Sequence, residues 1–312
     1  MWRLRIKIVA ALWAVYVFTM PALAQINSLT REEMIKYTAQ NPFERFPDGR
    51  PKVPDALLKE FNNMSSEEVM VAGRGAGGGP MATFVSGFQV LNPGKKLIGR
   101  AVTLQLMPTR PEVAGPDAED WRKNGNTVPL NHQSALDVLQ AGDVIVIDAG
   151  GNINAGGIIG DNLAYYIWKK TGAGFVIDGA IRDLEGISTF GMAGYFRAAI
   201  PPAIQGLMVT GINVPVRIGN VTVMPGDVVF GDREGINFIP PQSVQAFVDN
   251  ARITRIHDEW TRMKFDQNKY KSTDIYSNPK DPALIQEYEE FLKQKLGAAA
   301  YEAYRKRKDP RP

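Results

Sequence analysis

The sequence predicts an α/β fold built around a parallel sheet, and three neighbouring patterns carry this prediction. The runs 143–148 and 175–178 have the unbroken, β-branched composition of strands that are buried on both faces. Between them, residues 162–170 place apolar side chains at three- and four-residue spacing, and Gly172 follows as a helix stop signal. A strand, a helix and a strand in this order form a βαβ unit, which requires parallel pairing and a right-handed crossover.

The first 24 residues have the pattern of a cleaved signal peptide. The basic start contains Arg3, Arg5 and Lys7. An apolar stretch of 17 residues runs from Ile8 to Ala24, and it ends in the small-residue pattern Ala22-Leu23-Ala24. The alternative is a membrane anchor, because this length is at the lower limit of a bilayer span. The cleavage pattern favours a signal peptide, so we expect a periplasmic or secreted protein without stable membrane insertion after cleavage.

Composition narrows the possible functions of the mature chain. Without the signal peptide, 312 − 24 = 288 residues remain, with 33 basic side chains (36 − 3) against 33 acidic ones. A chain without a positive surplus is not expected to bind nucleic acid as its main partner. The sequence has no cysteine, which excludes disulfides, thiolate nucleophiles and zinc–sulfur sites.

Four segments are predicted along the chain. Residues 1–24 are the signal peptide, and the proline-punctuated segment 25–54 is an extended arm with one short helix near 30–39. Residues 55–240 form the main domain, and 241–312 form a polar, helical C-terminal extension. Near the start of the main domain, the glycine-rich segment 73–80 lacks the Gly-Lys-Ser/Thr ending of a phosphate-binding loop, so it predicts a flexible connection.

Shorter elements complete the main domain. Residues 55–61 and 134–140 have helical patterns, and 99–106 resembles a strand. Within 211–240, three short apolar runs alternate with turn signals such as Pro225-Gly226-Asp227. This spacing predicts antiparallel hairpins that pack on the parallel sheet.

Several familiar catalytic solutions are absent from the sequence. The two histidines, His132 and His257, do not form a His-Glu-x-x-His motif, and the chain has no Gly-x-Ser-x-Gly motif. His257 falls in a polar helical segment, where a solvated position is expected. No Gly-x-Gly-x-x-Gly follows a predicted strand, which argues against dinucleotide binding.

What remains is a group of carboxylates and one arginine at the ends of two predicted parallel strands. The loop 156–162 contains glycines and Asp161 at a helix start, where backbone amides bind anions. Arg182 and Asp183 follow the next strand. The Arg182 guanidinium can bind a carboxylate through two hydrogen bonds, and Asp183 offers a hard oxygen ligand for a divalent cation. Ligands of open α/β sheets bind beyond the carboxyl ends of strands. The alternative is structural, with Asp161 as a helix cap and Arg182–Asp183 as ion-pairing residues.

A resemblance to a known family bears on this choice. The run GDVIVIDAGG…GGIIGDNLAYYIWKKTGAGFVIDGAIRDLEGI, with the flanking LIGRAVTL and VPVRIGNVTVMPGDVVFGDREGINFIP, resembles the core of the RraA-like family. That family includes 4-hydroxy-4-methyl-2-oxoglutarate aldolases, which are characterised by Gly, three residues, Asp, twenty residues, then Arg-Asp. Gly157, Asp161, Arg182 and Asp183 meet this spacing.

The resemblance implies specific roles for these residues. Asp183 would bind Mg²⁺ or Mn²⁺ directly, and Asp161 would bind it through a water molecule. Arg182 would contact the pyruvyl part of the substrate. The loop at Gly160 and the backbone amides of Asn162 and Leu163 would hold the substrate carboxylate. An acidic residue of a neighbouring subunit, Asp232 or Glu234, would complete the site.

The resemblance also implies a fold, a reaction and an assembly. The fold would be a three-layer β/β/α swivelling-type domain with a helical C-terminal extension, assembled as a homotrimer or homohexamer. The reaction would be metal-dependent retro-aldol cleavage of a 4-hydroxy-2-oxo acid, releasing pyruvate, with oxaloacetate decarboxylation as a related activity. The main alternative is a non-catalytic RraA-like binding or regulatory protein, since RraA itself regulates ribonuclease E by binding it. A methyltransferase activity, assigned to some relatives, is disfavoured because the sequence has no Gly-x-Gly loop for S-adenosylmethionine.

Overall fold

A computed structural model describes residues 28–73, 83–123, 125–276 and 279–308. The expected signal peptide and the glycine-rich segment after Gly73 lie outside these ranges. The helices are α1 Arg31–Tyr37, α2 Asp55–Glu60, α3 Ser66–Gly73, α4 Pro111–Lys123, α5 Gln133–Asp137, α6 Asp161–Thr171, α7 Leu184–Ser188, α8 Val244–Phe265, α9 Ser272–Ile275, α10 Pro282–Leu296 and α11 Ala298–Lys308. The strands are β1 Phe84–Val85, β2 Gln89–Val90, β3 Leu97–Pro108, β4 Asp143–Gly157, β5 Gly174–Ile181, β6 Ala193–Ala199, β7 Leu207–Ile212, β8 Val216–Ile218, β9 Val221–Val223, β10 Val228–Gly231 and β11 Ile236–Ile239.

The centre of the molecule is a mixed sheet with a parallel middle. Its strand order is β1-β11-β10-β3-β4-β5-β6-β2, and β7 also pairs with β3. Strands β3 to β6 run parallel, whereas β1, β2, β7, β10 and β11 pair in antiparallel fashion. The predicted βαβ unit is therefore confirmed as β4, α6 and β5.

Alternating side chains of the buried strands pack into two different hydrophobic cores, one on each face of the sheet. In β4, Ile145 and Ile147 face a cluster that also includes Ala164 and Ile167 of α6. Val144 and Val146 face the opposite way, where they join side chains of the β8–β9 hairpin. Helices, sheet and hairpin form three layers, so the predicted β/β/α architecture is confirmed. An unbroken apolar run suits such a strand because both of its faces are covered.

The N-terminal arm is fastened to the domain by a buried ion pair. Thr30 caps α1, and the chain then runs to Arg50, whose side chain is 1% exposed. The Arg50 guanidinium donates to both carboxylate oxygens of Asp143 at the start of β4, at 2.9 and 3.0 Å. Charges this deeply buried require a partner of opposite sign. The arm therefore packs against the amino-terminal edge of the parallel strands.

The C-terminal extension is helical, as predicted. Helix α8 packs against β10, β11 and α3 through a third core that includes Phe230, Phe247 and Val248. Helices α10 and α11 add a smaller cluster around Leu292 and Tyr301. Within the described ranges, no helix is both long and apolar enough to cross a membrane.

Candidate active site at the carboxyl ends of β4 and β5

The two sequence-predicted loops meet at one edge of the sheet. The loop after β4 and the end of β5 are joined by backbone hydrogen bonds, from Ile158 N to Ala180 O at 2.8 Å and from Arg182 N to Ile159 O at 2.9 Å. Asp161 follows as the first residue of α6, and Asp183 immediately precedes α7. The fold therefore brings Asp161, Arg182 and Asp183 together, although 20 residues separate Asp161 from Arg182.

Asp183 has an unusual backbone conformation. Its φ is 57°, in the left-handed region, where aspartate is tolerated better than bulkier residues. Its Oδ2 lies 3.4 Å from the backbone N of Asp161 and 3.5 Å from Nη1 of Arg182. The turn at Asp183 thus directs its carboxylate to the amino terminus of α6, where the helix dipole favours negative charge.

Glycines permit the close approach of the two loops. A Cβ atom on Gly157 would lie 2.6 Å from Cβ of Arg182, and one on Gly160 would lie 2.5 Å from Oδ2 of Asp183. A Cβ atom on Gly186 would lie 3.1 Å from Cβ of Asp161. Gly157 and Gly160 therefore fit against the Arg182–Asp183 pair because they have no side chain.

The Asp161 side chain does not have the capping role that the structural alternative requires. Gly160 is the N-cap of α6, and Oδ1 of Asp161 accepts from the neighbouring Asn162 N at 2.7 Å. This amide, which was predicted to receive a substrate carboxylate, is therefore engaged. The Leu163 amide makes no hydrogen bond within the part of the chain that the structure describes.

Arg182 and Asp183 are within ion-pairing distance, but their geometry is loose. Their side chains are 40% and 35% exposed, and the separation of 3.5 Å exceeds that of a good charge-assisted hydrogen bond. An exposed pair of this kind contributes little to stability. Asp183 also faces a shallow cleft of about 460 Å³. The cleft is lined by Asp183, Leu184, Glu185, Gly186, Ala199, Ile200 and Pro201.

The carboxylates fit a metal ion that keeps most of its water. Among the described residues, no three acidic or histidine side chains converge as a ready-made metal cage. Mg²⁺ is commonly bound through one or two carboxylates, with waters and substrate oxygens as the other ligands. Asp183 and Asp161 could supply such a partial ligand set, whereas a fully protein-bound zinc or calcium site does not fit.

Asp232 and Glu234 are remote from this site within one chain. Asp232 follows Gly231, which pairs with Leu97 at the start of β3, so it lies at the opposite edge of the parallel strands. Its carboxylate accepts hydrogen bonds from Ser66 N, Ser66 Oγ and Glu234 N at 2.7, 2.6 and 2.9 Å. Glu234 is exposed. Either residue could reach Asp183 only from another subunit.

Comparison with known proteins identifies the family. The family model described as RraA-like (Aldolase/RraA) matches residues 72–237, which include both loops of the site. The chain belongs to the RraA-like family. This assignment confirms the resemblance that was inferred from the residues around Asp161 and Arg182.

Relatives of two kinds are found within the RraA-like family. A putative 4-hydroxy-4-methyl-2-oxoglutarate aldolase of Halalkalibacterium halodurans is 31% identical over 163 residues, which cover 50% of this chain and 73% of the relative. The 4-hydroxy-4-methyl-2-oxoglutarate aldolase of Thermus thermophilus is 32% identical over 108 residues, covering 35% of this chain and 65% of the relative. The crystal structure of Streptomyces coelicolor RraAS2, an unusual member of the RNase ES inhibitor RraA family, has a TM-score of 0.59 and 30% identity, and the match covers 68% of this chain and all of that one.

The structure differs from the sequence prediction at Glu185 and at His257. Glu185, which lines the cleft beside Asp183, was not predicted; its position two residues after a candidate ligand was the available signal. His257, expected on a solvated face, is only partly exposed, at 22% of its side chain. Its ring packs edge-on against Tyr288 with centroids 5.3 Å apart, because α10 folds back over this face of α8.

Proposed function

We propose that this RraA-like protein is a divalent-metal-dependent lyase that cleaves 4-hydroxy-2-oxo acids and releases pyruvate. The observation that carries the proposal is the left-handed turn at Asp183. It holds a half-exposed carboxylate 3.4 Å from the first amide of α6 and next to Arg182. The aldolase descriptions of two relatives that are 31% and 32% identical support the same reaction class.

The chain's own groups would bind the two ends of a pyruvyl unit. The Arg182 guanidinium offers parallel N–H donors to a carboxylate or keto oxygen, and the Leu163 amide offers another donor at the start of a helix. Mg²⁺ or Mn²⁺ at Asp183, further held by Asp161 through water, would supply Lewis acidity toward the keto oxygen. Gly160 would keep the floor of the site free of a side chain.

Retro-aldol cleavage requires no oxidant or reductant. A base removes the proton of the C4 hydroxyl, C4 becomes a carbonyl carbon as the C3–C4 bond breaks, and the electron pair of that bond moves toward the C2 oxygen to give the enolate of pyruvate. The carbonyl fragment leaves, and the enolate takes up a proton at C3 to become pyruvate. Arg182 would stabilise the charge that develops on that oxygen, which is a favourable use of a preoriented cation. The Asp161 carboxylate would orient the water that accepts the proton. Loss of CO₂ from oxaloacetate passes through the same enolate, so decarboxylation is expected as a second activity.

The competing function is that of a non-catalytic RraA-like binding protein. The printed description of RraAS2, as a member of an RNase ES inhibitor family, is the observation that favours it. Pyruvate release separates the two functions. In the presence of Mg²⁺, purified protein should release pyruvate from a panel of 4-hydroxy-2-oxo acids and from oxaloacetate. Pyruvate release should stop when EDTA is added. Absence of pyruvate from every substrate would contradict the lyase proposal and favour the binding protein.

Assembly and location are part of the proposal. Because Asp232 and Glu234 lie away from the site within one chain, a homotrimer or homohexamer in which a neighbour supplies one of them would complete the acidic ligand set. The signal-peptide pattern of residues 1–24 supports export to the periplasm or beyond. Sequencing the mature amino terminus tests the location, since it should begin at Gln25, and retention of Met1 would contradict export.

A further inference from the structure

A second pocket lies beside the candidate active site, between α4 and the start of β7. We refer to it as the α4 pocket. Its volume is about 350 Å³, at the lower end of the range for small-molecule sites. It is lined by Leu106, Thr109, Ala114, Asp117, Ala118, Leu130, Asn131, His132, Ile204, Gln205, Gly206, Leu207, Met208 and Val209.

Backbone hydrogen bonds connect the α4 pocket to Gly157, which packs against Arg182. Gly157, whose added Cβ would meet Arg182, donates its N–H to Pro202 O at 2.8 Å and accepts from Ile204 N at 3.1 Å. Ile204 and Gln205 then form one wall of the pocket. The opposite wall is fastened by a hydrogen bond of 2.9 Å from Thr109 N to Gly206 O. The segment between Pro201 and Gly206 therefore runs from the cleft at Asp183 to the α4 pocket.

The two sites also lie on the same face of the sheet. Leu106 of the pocket belongs to the hydrophobic cluster that contains Ile159, next to α6, and Leu130 and Ile204 pack against that cluster. Leu163 and Leu184, which flank the candidate site, pack against this same cluster. A substrate whose carboxylate lies at α6 and Arg182 could thus extend its other end along this face.

The lining of the α4 pocket selects against a negatively charged group. It includes the carboxylate of Asp117 and, among its lining residues, no lysine or arginine. Burial raises the pKa of Asp117, with a further contribution from the nearby Asp120 carboxylate, and burial lowers the pKa of His132. The pocket therefore favours uncharged forms, and an incoming carboxylate would find no cation to pair with.

His132 gives the pocket one specific polar contact. Its imidazole makes no hydrogen bond to any group in the ranges that the structure describes, although the residue is half-buried at the pocket wall. A neutral imidazole offers one donor and one acceptor. A hydroxyl or carbonyl group of a ligand in the pocket would therefore find an available hydrogen-bond partner in this imidazole.

From this chemistry we infer that the α4 pocket binds an uncharged, ring-sized organic group with a hydroxyl or carbonyl substituent. The inference on its role rests on the proposed lyase function, under which this group is the carbonyl fragment that leaves when pyruvate is formed. The expected substrates are then 4-hydroxy-2-oxo acids with an apolar or aromatic group on C4. A second carboxylate at that position, as in 4-hydroxy-4-methyl-2-oxoglutarate, would be disfavoured.

A binding experiment tests the pocket without relying on catalysis. Tag-free full-length protein, labelled with ring-¹⁵N histidine, has two imidazoles, His132 and His257. Benzyl alcohol should shift the His132 signal saturably and leave His257 unchanged, and benzoate should bind at least about tenfold more weakly. Ala118→Phe should abolish the shift by filling the pocket. Glu119→Phe, which adds the same ring to the exposed neighbouring position on α4, should leave it intact. An unmoved His132 signal, or equal effects of the two variants, would overturn the inference.

A kinetic experiment tests the role of the pocket. For 4-hydroxy-2-oxo-4-phenylbutanoate, kcat/KM should exceed that for 4-hydroxy-4-methyl-2-oxoglutarate by about tenfold or more, a magnitude typical of hydrophobic-pocket selection. Ala118→Phe should lower the ratio of phenyl-substrate to oxaloacetate activity at least about tenfold, and Glu119→Phe should leave it unchanged. Pyruvate release with a preference for the dicarboxylate and no effect of Ala118→Phe would refute the inferred role and leave the lyase function standing. Benzyl alcohol binding without pyruvate from any substrate would refute the lyase function and leave the pocket standing.

Discussion

Two arginine–aspartate pairs lie at opposite ends of the parallel strands, and they differ in burial, in separation and in hydrogen bonding. Arg50 and Asp143 meet at the amino-terminal edge, where side-chain exposures of 1% and 0% accompany two hydrogen bonds of 2.9 and 3.0 Å. Arg182 and Asp183 meet at the carboxyl edge, half-exposed and 3.5 Å apart. In the first pair both carboxylate oxygens of Asp143 accept from Arg50, whereas the second pair leaves donors and oxygens available to a ligand.

The difference follows from what surrounds each pair. Asp143 also accepts from Gln140 N at 2.9 Å, and Arg100 lies 3.9 Å from its carboxylate, so its charge is compensated from several sides. Around Asp183, Gly160 and Gly186 keep side chains out of the space beside the carboxylates. We call Arg50–Asp143 the closed pair and Arg182–Asp183 the open pair. The same substitution should mainly lower stability at the closed pair and mainly lower activity at the open pair.

The largest expected effect is on stability at the closed pair. Asp143→Asn would leave the buried Arg50 guanidinium without a counter-charge, which we expect to cost about 3–5 kcal/mol of unfolding free energy. The matched control is Asp183→Asn, which should change stability by less than about 0.5 kcal/mol at a half-exposed position. Denaturant unfolding of both variants measures the difference. Equal stabilities would show that the contrast between the two pairs is wrong.

The next effect is on catalysis at the open pair. Arg182→Lys keeps the charge but removes the planar fork that matches a carboxylate or enolate. Loss of one oriented contact should cost about 2–4 kcal/mol in the transition state, or roughly a thirtyfold to thousandfold decrease in kcat/KM. Pyruvate-release kinetics measure this. A lysine variant within about threefold of wild type would indicate that Arg182 does not face the substrate.

A smaller effect should follow from one methyl group. In Gly160→Ala, the new Cβ would lie 2.5 Å from Asp183 Oδ2 and 3.0 Å from Arg182 Nε, although φ of −109° suits alanine. Displacement of these groups should lower kcat/KM by about 10-fold to 100-fold. Gly94→Ala is the control, because its Cβ would have no neighbour within 4 Å. Equal activities of the two variants would mean that the packing around Gly160 does not position the site.

The convergence of the candidate residues could be predicted from sequence because its signals are local. Gly157, Gly160 and Asp161 lie between the predicted strand 143–148 and the predicted helix 162–170. Arg182 and Asp183 follow the next predicted strand, and parallel strands end at the same edge. The helix predicted at 162–170 is observed as α6, with Gly172 in the left-handed conformation that ends it. The family resemblance added the roles, which the residues alone left open.

Features that depend on distant contacts were not predicted. Arg50 and Asp143 are 93 positions apart, and nothing near Arg50 distinguishes it from the other charged residues of an extended arm. Strand β4 extends to Gly157, nine residues beyond the predicted end, because its irregular tail keeps pairing with β5 at Asn152 and Gly157. The α4 pocket likewise unites residues from three separate segments, 106–118, 130–132 and 204–209.

Asp183→Asn decides whether the open pair acts as the proposed metal-dependent catalytic site. Asparagine tolerates the left-handed turn but lacks the charge that a hard cation requires. We expect wild-type pyruvate release to be lost in EDTA and restored by Mg²⁺ or Mn²⁺. The variant should remain folded, bind Mn²⁺ far more weakly in a calorimetric titration, and lose at least about a hundredfold in activity, as expected when an essential charge-stabilising contact is removed. An active Asp183→Asn variant, or wild-type activity that is indifferent to EDTA, would contradict the proposed metal-dependent role of Asp183.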